Sequence, residues 1–180
     1  MKWMFGVSAY PPIVQQLLTP ERLMELGPGT PQLDRRGDLA RLDTELIFAR
    51  HRLTDRTMAR CCLAALWLYH DFLTESHTIS QEIGTKEGSY WHGIMHRREP
   101  DAWNSKYWFR RVNEHPVIHQ LGEQSRVFGY DYRSPFDFVD DCERHRGTNS
   151  PTEVVLRQVQ LCEWQLLFDY CWRHAVGAMK

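Results

Sequence analysis

The stretch Asp55–Ser76, DRTMARCCLAALWLYHDFLTES, decides the fold class. Asp55 is a helix-capping residue, and Ala59, Cys62, Leu63, Leu66 and Trp67 follow at i, i+3, i+4, i+7 and i+8, which lays one apolar stripe along a helix. The spacing predicts a helix from Asp55 to roughly Ser76. Continued at the same spacing, the stripe takes in His70, Leu73, Thr74 and, as the helix persists, His77. The core face therefore turns polar at one end. Two histidines where leucine would serve need partners, because a buried polar group left unsatisfied costs about 1 to 3 kcal/mol. His70 and His92 are accordingly expected to be buried and hydrogen-bonded.

Outward from that stretch the helical period continues and alternating β-branched strands are missing. A shorter helix is expected over about Lys86 to Arg98, another from the Asp101 cap to near His115-Pro116, and a short one after Pro116. Ser134-Pro135-Phe136-Asp137 opens a segment that stops at Gly147, and Ser150-Pro151-Thr152-Glu153 is a capping box opening a helix to about Gly177. The last is apolar on nearly all sides, so it is either central to the bundle or partly covered by a second subunit, which would make a homo-oligomer. Five of the nine prolines fall within the first forty residues, around a short helix signal at Thr19-Pro20-Glu21 that ends at Gly27. The expected architecture is all-α: a compact single-domain helical bundle over residues 38–180, with an irregular N-terminal arm, residues 1–37, packed on it.

Composition narrows the function classes. A chain of 180 residues fits one domain, and 42% hydrophobic with 25% charged residues is ordinary for a globular protein. The formal charge of −1 offers no global field for nucleic acid or for an anionic membrane. No apolar run approaches the roughly 20 residues that span a bilayer, and the start MKWMFGVSAYPP lacks the features of a signal peptide. A cytoplasmic location is expected. Five cysteines without a C-x-x-C pair read as reduced thiols, and nucleophile-elbow, Walker and dinucleotide motifs are missing. The unusual features are seven tryptophans and eighteen arginines against four lysines.

The chemistry concentrates between residues 70 and 116. His92, His96 and Glu99, at i, i+4 and i+7, set two imidazoles and a carboxylate on one helix face beside Trp91 and Met95. An H-x-x-x-H pair suits a shared metal, although the zincin glutamate after the first histidine is replaced by Gly93. Farther on, Asn104, Trp108 and Arg111 share a face, with Trp103, Tyr107 and Arg110 beside it, and this helix is expected to have little exposed surface to spare. From His92 to His115, five basic side chains outnumber three acidic ones, so a small anionic ligand is conceivable.

The segment His70-Asp71-Phe72-Leu73-Thr74-Glu75-Ser76-His77, followed by Tyr90-Trp91-His92-Gly93-Ile94-Met95-His96-Arg97-Arg98-Glu99-Pro100-Asp101, Asn104 and Lys106-Tyr107-Trp108-Phe109-Arg110-Arg111, resembles a family of bacterial and fungal proteins to which no activity is attached. The likeness covers about a third of the chain. It implies that this polar segment is a shared hallmark and names no reaction.

Two readings of the segment stand. In the first, His70, His77, His92, His96, Asp71, Glu99, Arg98, Asn104 and Arg111 gather into one small-ligand pocket. Its most concrete form is a metal-dependent hydrolase: His77, His92 and His96 hold a divalent metal, Glu99 and Asp71 are the catalytic carboxylates with Glu99 as general base, and His70, Arg98, Asn104 and Arg111 bind the ligand. This form needs the loop from Ile79 to Glu87 to fold the second helix back on the first. In the second reading the protein is a non-catalytic interaction module whose polar cluster is a structural hydrogen-bond network.

Overall fold

The computed structural model describes residues 7–49 and 51–177. Among them are ten α-helices and two 3-10 turns, and no strand. The N-terminal region holds α1 (Pro12–Leu17), α2 (Leu33–Ala40) and α3 (Thr44–Ile47). The bundle follows as α4 (Arg56–Tyr69), α5 (Leu73–Ser80), α6 (Lys86–Arg98), α7 (Ala102–Val112), α8 (Pro116–Gln124), α9 (Pro135–His145) and α10 (Pro151–Ala175). The expected caps form: Asp55 accepts from Thr57 N and Met58 N, Asp101 from Asn104 N, Ser134 from Asp137 N and Ser150 from Glu153 N.

Helix α10 is central. It packs on α4, α8 and α9, and most of its apolar residues are buried, among them Leu156, Val159, Trp164, Phe168 and Trp172, while Val154 in its first turn is exposed. Its central place in the bundle accounts for the apolarity of these buried residues. All five cysteines are buried and unbridged, and among the described residues no helix is long and apolar enough to cross a membrane.

The long helix expected over Asp55–Ser76 does not run through. It breaks at His70-Asp71-Phe72, where Asp71 adopts a φ of 65°. The reason is a set of arginines that the local period does not reveal. Arg98 Nη1 donates to Leu68 O at 2.7 Å and Arg22 Nη1 to Tyr69 O at 2.6 Å, so the last carbonyls of α4 are satisfied from outside the helix. The Asp71 carboxylate takes both guanidinium groups, Arg98 on one oxygen and Arg22 on the other.

The short helix expected from Thr19 to Gly27 is absent too. Helices form on either side of it, as α1 and α2, while residues 20–32 are irregular. Their carbonyls leave the segment instead of closing on one another. Leu23 O and Met24 O accept from Arg157, Glu25 O from Gln160, Leu26 O from Arg146, and Gly27 O and Pro28 O from Arg98. With Met24 and Leu26 in the core, this part of the arm is held as an extended strap across α6, α9 and α10.

Candidate metal centre

Helix α6 owes its position to close approaches on two sides. Thr85 caps it, and Gly88 stands where a Cβ would come within 2.3 Å of Ile83 O, so only glycine lets the α5–α6 turn fold this tightly. Gly93 faces the ring of Phe109, and Ser105 Oγ donates to Gly93 O at 2.8 Å, drawing α7 against α6. Every residue of α6 from Glu87 to Arg98 is buried. Its His92–His96 face looks toward α5 and α7, while Arg97 and Arg98 point to other partners.

The tight turn brings His77 on α5 to His92 and His96 on α6. One ring nitrogen from each of the three lies within 4.8 Å of the others. The His77 ring stands edge-on to both partners, with centroids 4.6 Å from His92 and 5.4 Å from His96, and the latter two stack at 4.8 Å and 16°. On its other neighbour, His92 stacks against Trp108 at 3.9 Å, and the Arg111 guanidinium sits 5.2 Å from the Trp108 ring centroid.

Burial governs the protonation of the group. His92 is pushed down to about 3, first by desolvation and then by the neighbouring His96 and His77. His96 is lowered by desolvation, against the pull of Glu99. Both imidazoles are neutral at pH 7, the form that binds metal. His92 Nδ1 is buried without a hydrogen-bond partner among the described residues, so burial is as expected for His92 and the expected hydrogen bond is missing there. Glu99 Oε2 lies 3.0 Å from His96 Nδ1, and Asp101 Oδ2 lies 4.0 Å from the same nitrogen. Asn104 Nδ2 donates to Asp101 Oδ2 at 2.5 Å and so fixes the second carboxylate. Asp101, read from sequence only as a helix cap, thus borders the centre as well.

The remaining candidates go elsewhere. Asp71 and Arg98 form a buried ion pair shared with Arg22, and His70 Nδ1 bonds Gln32 Oε1 at 2.6 Å. These three lie at the α4–α5 break and fasten the arm. The single cluster expected from sequence is therefore two: His77, His92, His96, Glu99, Asn104 and Arg111 around one end of α6, and His70, Asp71 and Arg98 around the strap. Arg22 and Gln32, which complete the second group, sit in the proline-rich arm, where no periodic signal marks them.

Helix α7 also departs from expectation. It buries only Ser105, Phe109 and Val112, a narrow i, i+4, i+7 stripe. Trp103 is 71% exposed and Tyr107 39%. The chain matches no known protein family, curated protein or solved structure.

Proposed function

We propose that His77, His92 and His96 bind a single divalent metal ion, zinc by the character of the donors, and that the protein is a metal-dependent hydrolase of a small substrate. The observation that carries this reading is the convergence of three imidazoles, from two helices, to within 4.8 Å. Ligands on a tetrahedral zinc at about 2.0 to 2.1 Å stand roughly 3.4 Å apart, so closure needs movements of about an ångström in the imidazoles. Two of the three are neutral through burial, which removes the proton that would compete with metal. Beside them, the Glu99 carboxylate next to His96 Nδ1 favours a proton on that nitrogen and leaves Nε2 for the metal, the arrangement in which a carboxylate orients a ligand histidine. Three nitrogen ligands would leave a fourth position for water, and a bound zinc would lower the pKa of that water to near 7 and so supply a nucleophile without a dedicated base.

The structural-network reading fits the other cluster. His70, Asp71 and Arg98 are engaged with arm residues and with backbone carbonyls, and the reading above gives them no part in chemistry.

The test is metal analysis of protein purified without a histidine tag after zinc-supplemented growth, in wild type and in a His92→Ala, His96→Ala double variant. About one equivalent in wild type and loss of it in the variant are expected. Less than roughly a tenth of an equivalent in wild type overturns the metal reading, and unchanged metal in the variant overturns this choice of ligands.

A further inference from the structure

We propose that the outer face of α7 is a binding shelf for a small anion that carries a planar ring, placed to deliver that ligand to the histidine centre. Trp103, Tyr107 and Arg110 follow one another at i, i+4 and i+7 along this face. The Trp103 and Tyr107 rings stack within 10° of parallel, with centroids 6.2 Å apart, and both are open to solvent. Core packing does not explain them, since α7 is anchored through Ser105, Phe109 and Val112 on its opposite side. A tryptophan this exposed, backed by a stacked tyrosine, offers a free aromatic face on which a planar ring stacks.

Charge on the shelf specifies the rest of the ligand. Arg110 and Arg111 are exposed, and neither makes an ion pair among the described residues, although most arginines of the chain do. Three neighbouring carboxylates are engaged elsewhere: Asp140 holds Lys106, Asp101 holds Asn104, and Glu99 faces His96. Arg110, in line with the two rings and free of any ion pair among the described residues, suits one phosphate or carboxylate group, and Arg111, over the Trp108 ring on the adjacent face, adds a second positive charge. The open Trp103 face makes room for one base or phenyl ring. A surface of that size, on a chain of net charge −1, does not suit a nucleic-acid strand.

Position joins the shelf to the centre. Tyr107 meets Trp108 edge-on at 5.3 Å, and Trp108 stacks on His92 at 3.9 Å, so ring contacts run without a gap from exposed Trp103 to the buried histidines. The Arg111 guanidinium lies over Trp108, the ring through which that path runs. The shelf depends on the metal reading only for what happens to the ligand after it binds.

The experiment is titration calorimetry of the full, tag-free chain with phenyl phosphate and with adenosine monophosphate, against inorganic phosphate and adenosine as single-feature controls, with zinc content measured on the same samples. The ring phosphates are expected to bind at least about tenfold more tightly than either control, and Trp103→Ala, Tyr107→Ala to lower that affinity roughly tenfold. Both side chains are exposed, so the fold and the zinc content stay unchanged in that variant. Arg110→Gln, Arg111→Gln is expected to remove the preference of adenosine monophosphate over adenosine. The proposal is overturned if neither ring phosphate binds at roughly 10 mM, if the aromatic variant binds as wild type does, or if Trp103 instead supports binding to vesicles of anionic lipid. Retained ring-phosphate binding in protein that takes up no zinc would refute the metal reading and leave the shelf standing. Zinc uptake without ring-phosphate binding would refute the shelf alone.

Discussion

Arg98 Nη2 lies 2.5 Å from Asp71 Oδ1, and neither side chain keeps any exposed surface. The pair ties the end of α4 to the end of α6. Through its other nitrogens Arg98 also holds Leu68 O, Gly27 O and Pro28 O, so one guanidinium joins two helices and the arm. Removing one member of a fully buried pair leaves an uncompensated charge, at a cost of about 3 to 5 kcal/mol. Arg98→Met is expected to destabilise by that amount in urea denaturation, and Asp71→Asn by somewhat less, because a neutral amide leaves Arg98 its carbonyl partners. The double variant is expected to cost less than the sum of the two. Strict additivity would show that the residues do not act as a unit.

Gly29 presses on the same carboxylate. It has a φ of +71°, and a Cβ placed there would stand 2.6 Å from Asp71 Oδ2. Gly29→Ala therefore combines a left-handed backbone penalty of about 1 kcal/mol with a clash against a carboxylate that two arginines hold in place. A loss of at least about 2 kcal/mol is expected, while Gly37→Ala, with open space around it, serves as the control. Equal stability of the two variants would contradict the packing of the arm on the α4–α5 break.

Acid is expected to destabilise the metal-free protein at mild pH. Burial pushes His70 down to about 4, helped by Arg22 and Arg35, and His92 to about 3, and His96 is lowered as well. In the unfolded chain each titrates near 6.5. Between those values the unfolded state binds more protons than the folded one, so stability is full above about pH 6.5 and falls as the pH is lowered toward 4 and 3. His70 and His92 each contribute a loss of about 2 kcal/mol between pH 7 and pH 5, and His96 adds in the same direction. Urea midpoints across that range check the slope. A His92→Asn variant is expected to flatten it by about one proton's worth, and a flat wild-type profile would mean that the histidines are not buried neutral.

Much of this was legible in the residues. Asp55, Asp101, Ser134-Pro135 and Ser150-Pro151-Thr152-Glu153 signal helix starts by hydrogen bonds within four residues, and those helices form where the signals stand. The His92 and His96 spacing, and the fold-back that brings His77 to them, follow from helix geometry and a short connection. Contacts across long separations were not legible. The break at Asp71 depends on Arg22 and Arg98, and the non-helical strap depends on Arg98, Arg146, Arg157 and Gln160 drawing carbonyls out of a segment whose own signals favour a turn of helix. The exposure of Trp103 was hidden for a related reason: aromatic residues at helical spacing look alike whether the neighbouring helix covers them or stops short.

Glu99 separates two ways in which a carboxylate serves a metal centre. Its Oε2 is 3.0 Å from His96 Nδ1, and its side chain is 53% exposed. A carboxylate that orients a ligand histidine acts on metal affinity, and its loss typically costs 10- to 100-fold there. A general base acts on turnover and leaves metal affinity alone. Glu99→Gln keeps the shape and removes the negative charge that, 3.0 Å away, favours a proton on His96 Nδ1. Because the side chain is largely in solvent, no loss of fold is expected, and thermal unfolding without metal is expected to match wild type. Zinc affinity, measured by competition with a chromophoric chelator, is expected to fall by at least about tenfold. Wild-type zinc affinity in Glu99→Gln would remove the orienting role and return Glu99 to the position of a base acting on bound water.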